Sequence, residues 1–230
     1  MLLHRHLLGC VSFLVPSSDR AIGLLSAATI DTSRAGAGTQ AAGRGAPLVL
    51  FTYSPAMARI RDARPPDAAR LAEIHVVSWQ VAYRGVLADE FLDRLTSTTR
   101  LDWWTSRLAR IPPRWAVLVT EDEGHVTGFV SIGHCADDDR PHSEAGELYA
   151  MYVDPLHWGL GFGRHLLVGA EERFRADAYT DASLWVLRDN QRARRFYELG
   201  GWRADGVEQR MVIGSDAVTA VRYLKGFVGS

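Results

Sequence analysis

Lysine is almost missing from this chain: of 26 basic residues, only Lys225 is not an arginine. That alone removes a Walker-type phosphate loop, which needs a lysine directly followed by serine or threonine, because Lys225 is followed by Gly226. The arginine excess reads as the coding bias of a GC-rich genome rather than as chemistry. Cysteine is scarce too. Cys10 and Cys135 lie in segments of different character, so no disulfide framework is indicated and the usage suits a reducing compartment. No apolar run is long enough to cross a bilayer. A net charge of −1 offers no basic surface for nucleic acid. What remains, 47% hydrophobic and 23% charged over 230 residues, is a soluble globular profile with room for one domain and an appendage.

The appendage is expected at the front. Residues 1–56 hold no glutamate and two acids, Asp19 and Asp31, with a small-residue tract over 26–47 that has no periodic apolar face. Such a segment buries too little surface to offset its ordering entropy, so it is expected to be a disordered extension. From Met57 the pattern is that of a folded domain, residues 57–230, and an upstream misassigned start would explain the break. The rival is a targeting segment, since Arg5 precedes the apolar run 7–15 and Leu7-Leu8-Gly9-Cys10 imitates a lipoprotein box. Only six residues precede that box. His4 and His6 have no third ligand nearby and read as leader composition.

Within the domain, residues 59–63 suit a short strand, and Pro65-Pro66-Asp67 opens a helix reaching about Tyr83, with Leu71, Ile74 and Val77/Ser78 on one face. A second helical region covers 88–108, with Phe91, Leu92 and Leu95 at helical spacing and a break expected at Thr98/Thr99. The β-rich runs 115–120 and 126–132 flank Glu121 to Gly124 as a hairpin. A strand over 147–153 follows, then a helix over 163–175 with Leu167, Ala170 and Phe174 on one face. The next strand, 183–187, must run parallel to 147–153, because a crossover helix joins them. Asn190 caps a helix that Gly200-Gly201 ends, and 207–213 with 218–224 form a final antiparallel pair.

The most informative stretch lies between that strand and helix. Val153-Asp154-Pro155 ends the strand, and Trp158-Gly159-Leu160-Gly161-Phe162-Gly163 leads into the helix, with Arg164 beside it. Such a junction sets amide N–H groups and the positive end of a helix at a strand tip, where a pyrophosphate can sit. Glycine lets the backbone approach phosphate without a Cβ in the way. A dinucleotide fingerprint is excluded, because counting from Gly159 or Gly161 its last glycine falls on Arg164 or Leu166.

This loop resembles the acyl-CoA loop of the GCN5-related N-acetyltransferases (GNAT), Gln/Arg-x-x-Gly-x-Gly/Ala after Val-x-Pro, with Trp158 where Gln or Arg is usual. Two further segments share the resemblance. Residues 190–202, Asn190-Gln191-Arg192-Ala193-Arg194-Arg195-Phe196-Tyr197-Glu198-Leu199-Gly200-Gly201-Trp202, are similar to the family's Asn-x-x-Ala-x-x-Phe-Tyr-x-x-x-Gly-Phe signature, with Trp202 in place of Phe. Trp79-Gln80-Val81-Ala82-Tyr83-Arg84-Gly85 before Leu87 is similar to a subgroup's first-helix segment. The resemblance covers about residues 57–223. It implies a mixed α/β (α+β) GNAT fold, a mostly antiparallel mixed sheet with a central parallel βαβ unit flanked by helices.

The resemblance also implies roles. Met151, Tyr152 and Val153 would hold the acetyl-pantetheine arm, a strand N–H near Tyr152 would polarise the thioester carbonyl, and Trp158, Gly159, Leu160, Gly161, Phe162, Gly163 and Arg164 would hold the pyrophosphate. Asn190 would bond the arm while capping its helix, and Ala193 is small where the arm passes. Tyr197 would protonate the leaving thiolate, as a phenol of pKa about 10 can. Glu147 is a candidate base, directly or through water, with an outward-facing solvated glutamate as the alternative. Neutralising a primary ammonium of pKa about 10.4 at pH 7 costs roughly 4–5 kcal/mol. The glutamate used by family members that acetylate ribosomal-protein amino termini is matched here by Trp185, which argues against that substrate. Trp79, Tyr83 and Leu87 would wall the acceptor pocket, with Trp103 and Trp104 packing behind.

His134, Cys135, Asp137, Asp138, Asp139 and His142 resemble a metal cluster in composition only, so no metal is expected and the segment reads as a solvated acidic loop. At a pocket mouth it would favour cationic acceptors. The expectation is therefore an acetyl-CoA-dependent N-acetyltransferase acting on a primary amine of a small molecule or peptide in a ternary complex. It would work in the cytoplasm, where acetyl-CoA is made and used, without nucleic acid or membrane, and the reading leaves room for a homodimer. The alternative is an idle acyl-CoA-binding module of the same fold.

Overall fold

The structure, a computed structural model, describes residues 59–141 and 143–227. The expected leader, Met57, Cys10 and His142 lie outside the described residues.

Strand β1 (Arg59–Asp62) leads through a 3-10 turn at Pro65–Asp67 into α1 (Ala68–Ala82). Two prolines at the start suit a first turn whose amides need no helical partner. Arg61 bonds both Asp67 at 2.7 Å and Glu121 at 2.6 Å, tying that turn to the sheet. On α1, Leu71, Ile74 and Ser78 are buried as the spacing predicts. Full burial of Leu71 and Ile74 is worth about 1.5–3 kcal/mol each. The second helical region divides into α2 (Asp89–Asp93) and α3 (Ser97–Ala109). The break falls at Arg94–Thr96, ahead of the expected Thr98/Thr99, which lie within α3. Trp104 is fully buried, whereas Trp103 is 41% exposed and is not the packing residue expected.

β2 (Ala116–Asp122) and β3 (His125–His134) form the hairpin, and Glu123 and Gly124 turn it with positive φ. β4 (Ala145–Val153), α4 (Phe162–Ala176) and β5 (Asp181–Leu187) make the crossover unit, followed by α5 (Gln191–Leu199), β6 (Arg203–Ile213) and β7 (Asp216–Gly226). The seven strands lie in the order β1-β2-β3-β4-β5-β7-β6, all antiparallel except β4 with β5. Helices α1 and α3 cover one face of the sheet over Val117, Phe129 and Tyr152, and α4 and α5 cover the other over Leu148, Met151 and Val186.

The feature that positions the site is a divergence of the two central strands. β4 and β5 pair only from Ala145↔Asp181 to Leu148↔Leu184. Beyond that point β4 continues beside β3 as far as Val153, and β5 continues beside β7 as far as Leu187. The divergence starts where β4 bulges: Ser131 faces Ala150 and Ile132 faces Leu148, so Tyr149 has no opposite residue. An extra residue bends its strand, and here it bends β4 away from β5. Tyr149 is held in place, its ring stacked on Trp115 at 4.8 Å and its hydroxyl donating to the His134 carbonyl at 2.6 Å.

Candidate active site

The glycine-rich loop begins at the open end of β4. Asp154 accepts the Leu156 N–H at 2.9 Å and pairs with Arg70 of α1, and Ser78 donates to the Val153 carbonyl at 3.1 Å. The first helix is thereby fastened to the strand end. Gly159 (φ 77°) and Gly161 (φ 89°) occupy the left-handed region that a side chain disfavours. Gly163 does not; it is an ordinary residue of α4. The first α4 hydrogen bond runs from His165 N–H to Gly161 O at 3.1 Å, so the helix starts one residue earlier than expected and its first-turn amides lie at the loop. Phe162 contributes backbone there, while its ring is 1% exposed and belongs to the core. Arg164 is exposed beside it.

Trp158 is not a bare substitute for a polar residue. Its indole N–H donates to the Val153 carbonyl at 2.6 Å, and the Arg192 guanidinium lies over its ring, 4.8 Å from the centroid. Beside them opens a cleft of about 380 Å³, lined by Trp158, by Val81, Ala82 and Val86, and by residues 189–192.

At the inner end of this region are two buried polar atoms without partners. Asn190 caps α5 through Oδ1, which accepts the Ala193 N–H at 3.0 Å, and leaves Nδ2 unbonded. The Tyr197 hydroxyl is likewise buried without a hydrogen bond. Burial, with the neighbouring Tyr152 hydroxyl, pushes the Tyr197 phenol well above its ordinary range, so the proton stays on at neutral pH. Tyr83 is raised for the same main reason, with Tyr152 and Tyr197 adding to the rise and the nearby Asn190 side chain opposing it. Tyr197 and Tyr152 belong to opposite faces of the sheet. Their mutual influence crosses it where β4 and β5 are unpaired. Ala193 is fully buried in the same core cluster as Tyr197.

Glu147 is 5% exposed, one carboxylate oxygen accepting the Ala136 N–H at 2.9 Å. It is therefore not the outward-facing solvated side chain that was the alternative. Met151 and Val153 point into the α4/α5 core, and Tyr152 to the α1 side, where its hydroxyl accepts from Trp79 Nε1 at 2.9 Å. The three expected pocket-wall residues are placed deeper than anticipated. Trp79 and Tyr83 are 1% exposed and Leu87 4%, all within the hydrophobic core. Apolar side chains on the inward face of α1 bury against the sheet before they can line an open wall.

The acidic loop is also different from expectation. Arg222 of β7 takes Asp139 in a two-pronged pair at 2.7 and 2.8 Å, Asp205 at 2.7 Å and Asp137 at 3.3 Å. Trp185 Nε1 donates to both oxygens of Asp137 at 3.2 Å. The loop is thus clamped to the sheet, and the Arg222 guanidinium holds the Asp139 carboxyl below its usual range. Two of its three aspartates are already charge-paired, which weakens the case for an acidic mouth. His134 accepts from Trp115 Nε1 at 2.9 Å, and the buried Cys135 thiol sits 3.3 Å from Ser183 Oγ. Among the described residues no cluster of three or more metal-ligating side chains is found. No helix there is long and apolar enough to cross a membrane. Arg192, Arg222 and His75, which stacks on Tyr152 at 4.9 Å, had no motif to announce them; only the fold brings them to these partners.

The profile of the acetyltransferase (GNAT) family matches residues 67–201. An N-acetyltransferase of Bacillus subtilis, YuaI, itself uncharacterized, is 30% identical over 135 residues, covering 58% of this chain and 74% of its own. The L-amino acid N-acyltransferase MnaT of Escherichia coli is 37% identical over 111 residues, 47% of this chain and 58% of its own. Among solved structures, yncA of Salmonella typhimurium with its cofactor acetyl-CoA aligns with a TM-score of 0.56 at 24% identity, over 74% of this chain and 94% of that one. The PaiA N-acetyltransferase of Thermoplasma acidophilum with coenzyme A aligns at 0.55 and 20% identity, over 74% and 99%. The chain belongs to the GNAT family and is an N-acetyltransferase.

Proposed function

We propose that this enzyme moves the acetyl group of acetyl-CoA to a primary amine of a small molecule or peptide, by direct attack within a ternary complex. The observation that carries this reading is the buried, unbonded hydroxyl of Tyr197, on the helix whose cap, Asn190, lines the cleft. Buried polar groups are nearly always bonded, so an orphaned hydroxyl on a helix that borders an open cleft argues for a ligand that completes it. A pantetheine amide carbonyl suits the Asn190 NH2, and a thiolate suits the Tyr197 proton.

In this mechanism Gly159, Gly161 and the first turn of α4 bind the diphosphate, and the freed edge of β4 at Ala150 to Val153 lies along the arm. An N–H of that edge stabilises the oxyanion. Glu147 takes a proton from the ammonium, directly or through water, so that the neutral amine attacks the thioester carbonyl; as the C–S bond breaks, Tyr197 gives its proton to the sulfur and regains one from the nitrogen of the adduct. The L-amino acid acyltransferase among the relatives supports a small amine acceptor. An acceptor panel of amino acids, polyamines and peptides, with acetyl-CoA as donor and free thiol as readout, tests the reading. Thiol release that tracks one amine class supports it; acetyl-CoA binding with no transfer to any acceptor would instead favour the binding module.

A further inference from the structure

The root of the glycine-rich loop is held from more than one element. The Val153 carbonyl accepts two donors, Ser78 Oγ of α1 at 3.1 Å and the Trp158 indole of the loop itself at 2.6 Å. One residue on, the Asp154 N–H donates to the Thr127 carbonyl of β3 at 2.8 Å, and its carboxylate accepts the Leu156 N–H at 2.9 Å. The other carboxylate oxygen takes the Arg70 guanidinium of α1. Asp154 is 6% exposed, so its charge depends on these partners rather than on water. Arg70 does more than neutralise it. Each of its three guanidinium nitrogens serves a different acceptor: Nε the Val126 carbonyl of β3 at 3.1 Å, a second nitrogen Glu73 at 3.2 Å, and the third Asp154. One planar side chain thus ties α1, the first residues of β3 and the start of the loop together, which a flexible lysine ammonium would do less well.

We propose that Arg70 is a positioning residue for the diphosphate of acetyl-CoA: through Asp154 it fixes the direction in which the loop leaves β4, and so where Gly159, Gly161 and the first amides of α4 point. Asp154 is the cap of the short turn Pro155–His157, and that turn leads directly to Trp158 and Gly159. Pro155 has no N–H to add a further tie there. Without Arg70 the buried carboxylate is left uncompensated and is drawn toward water, which takes the cap of the turn with it. The loop amides are then no longer aligned before the ligand arrives, and the cost of aligning them falls on binding. Arg70 is half-buried and outside the hydrophobic core, so its replacement leaves the packing of α1 on the sheet in place.

The assignment rests on the acetyl-CoA reading above, and the test separates the two. Coenzyme A affinity is measured by calorimetry for the full chain, Arg70→Gln, Arg70→Lys, Asp154→Asn and the Arg70→Gln/Asp154→Asn pair, under conditions where each is folded. Amide hydrogen exchange over residues 159–165 is followed in the ligand-free proteins. A parent protein that fails to bind coenzyme A overturns the acetyl-CoA reading, and this proposal with it. With binding present, Arg70→Gln is expected to weaken coenzyme A by about threefold to thirtyfold, the range of a partly exposed charge-assisted bond. Loop amides exchange faster in that variant while β3 and β5 keep their protection, a local change that general destabilisation would not give. Arg70→Lys is intermediate, and the pair loses little more than Asp154→Asn alone, because Arg70 acts through Asp154. Unchanged affinity, or unchanged loop exchange, in a folded Arg70→Gln protein overturns the proposal. So does full additivity in the pair, which would mean that Arg70 reaches the ligand by another route. Should Arg70→Gln not fold, both readouts pass to Arg70→Lys, and parent-like values in it then overturn the proposal.

Discussion

Tyr197→Phe should make the ligand-free protein more stable and the enzyme much slower. The hydroxyl is fully buried and unbonded, so the folded state carries its desolvation without a compensating hydrogen bond. Removing it while keeping the ring leaves the packing on Phe196 (5.3 Å) and Trp202 (6.2 Å) intact. An unsatisfied buried group of this kind costs about 1–3 kcal/mol. For a domain of 150–250 residues that corresponds to roughly 2–4 °C in Tm per kcal/mol. The melting temperature without ligand should therefore rise by several degrees.

Turnover should move the other way. A positioned acid contributes about 10²–10⁴-fold, and the loss belongs in kcat rather than in the acetyl-CoA KM, because the proton is delivered only as the thiolate forms. Burial holds the Tyr197 phenol above its ordinary value, so the acid form is present throughout the neutral range. The sign is simple: the raised group keeps its proton as pH increases, so the parent's kcat should show no alkaline fall from this group below about pH 10. Differential scanning fluorimetry and steady-state kinetics on parent and variant suffice. A variant that melts lower refutes the orphan-hydroxyl argument, and a variant as fast as its parent removes Tyr197 from the mechanism.

Three other outcomes are expected. Gly161→Val should abolish acetyl-CoA binding in a folded protein, because φ 89° excludes a branched side chain and a Cβ intrudes on the phosphate; unchanged calorimetric affinity would disprove the loop assignment. His75 is buried with both ring nitrogens unbonded, and burial, reinforced by Arg100, pushes its pKa well below the ordinary value. The unfolded chain takes up a proton below about pH 6.5 that the native state refuses, so stability is full above that pH and falls as pH drops toward the depressed native value; His75→Phe should flatten that slope in urea titrations, and identical slopes would sink the idea. Gly133→Ala should destabilise by about 1–3 kcal/mol, since its Cβ would lie 2.3 Å from the Trp115 ring that braces Tyr149 at the β4 bulge; an unmoved denaturation midpoint would count against the bracing.

The order of strands and helices could be read from the chain because each element declares itself locally. Leu167, Ala170 and Phe174 repeat at helical spacing, Asn190 and Gly200-Gly201 bracket α5, and the crossover helix obliges β4 and β5 to be parallel. The loop was equally readable, since its glycines mark a strand-to-helix junction. Depth was harder to read. Trp79, Tyr83 and Leu87 lie on a helix whose apolar face could have bounded an open pocket or a closed core, and spacing is the same for both. Only the sheet beneath α1 decides for the core. Asp137 and Asp139 looked solvated because their partner, Arg222, lies 83 and more residues away in the chain. The divergence of β4 and β5 had no local sign at all: it follows from a bulge, which is a relation between strands.

Two tryptophans replace polar residues of the family pattern, and both have become structural donors. Trp158 bonds the Val153 carbonyl, and Trp185 bonds Asp137. The site's unmet hydrogen-bonding capacity is consequently concentrated elsewhere, and location separates the orphans that matter from those that do not. His75 and Trp104 Nε1 are also buried without partners, yet they lie in an aromatic cluster with Phe129 and Tyr152, and neither lines the cleft. Their unbonded nitrogens are a cost of packing rings together. Asn190 lines the cleft, and Tyr197 lies on the helix that Asn190 caps. An orphaned polar atom argues for a ligand only where the backbone leaves a path to it. Here the pairing of β4 with β5 ends next to the bulge at Tyr149, so in the proposed mechanism the residue that bends β4 and the residues offered to the ligand belong to one device.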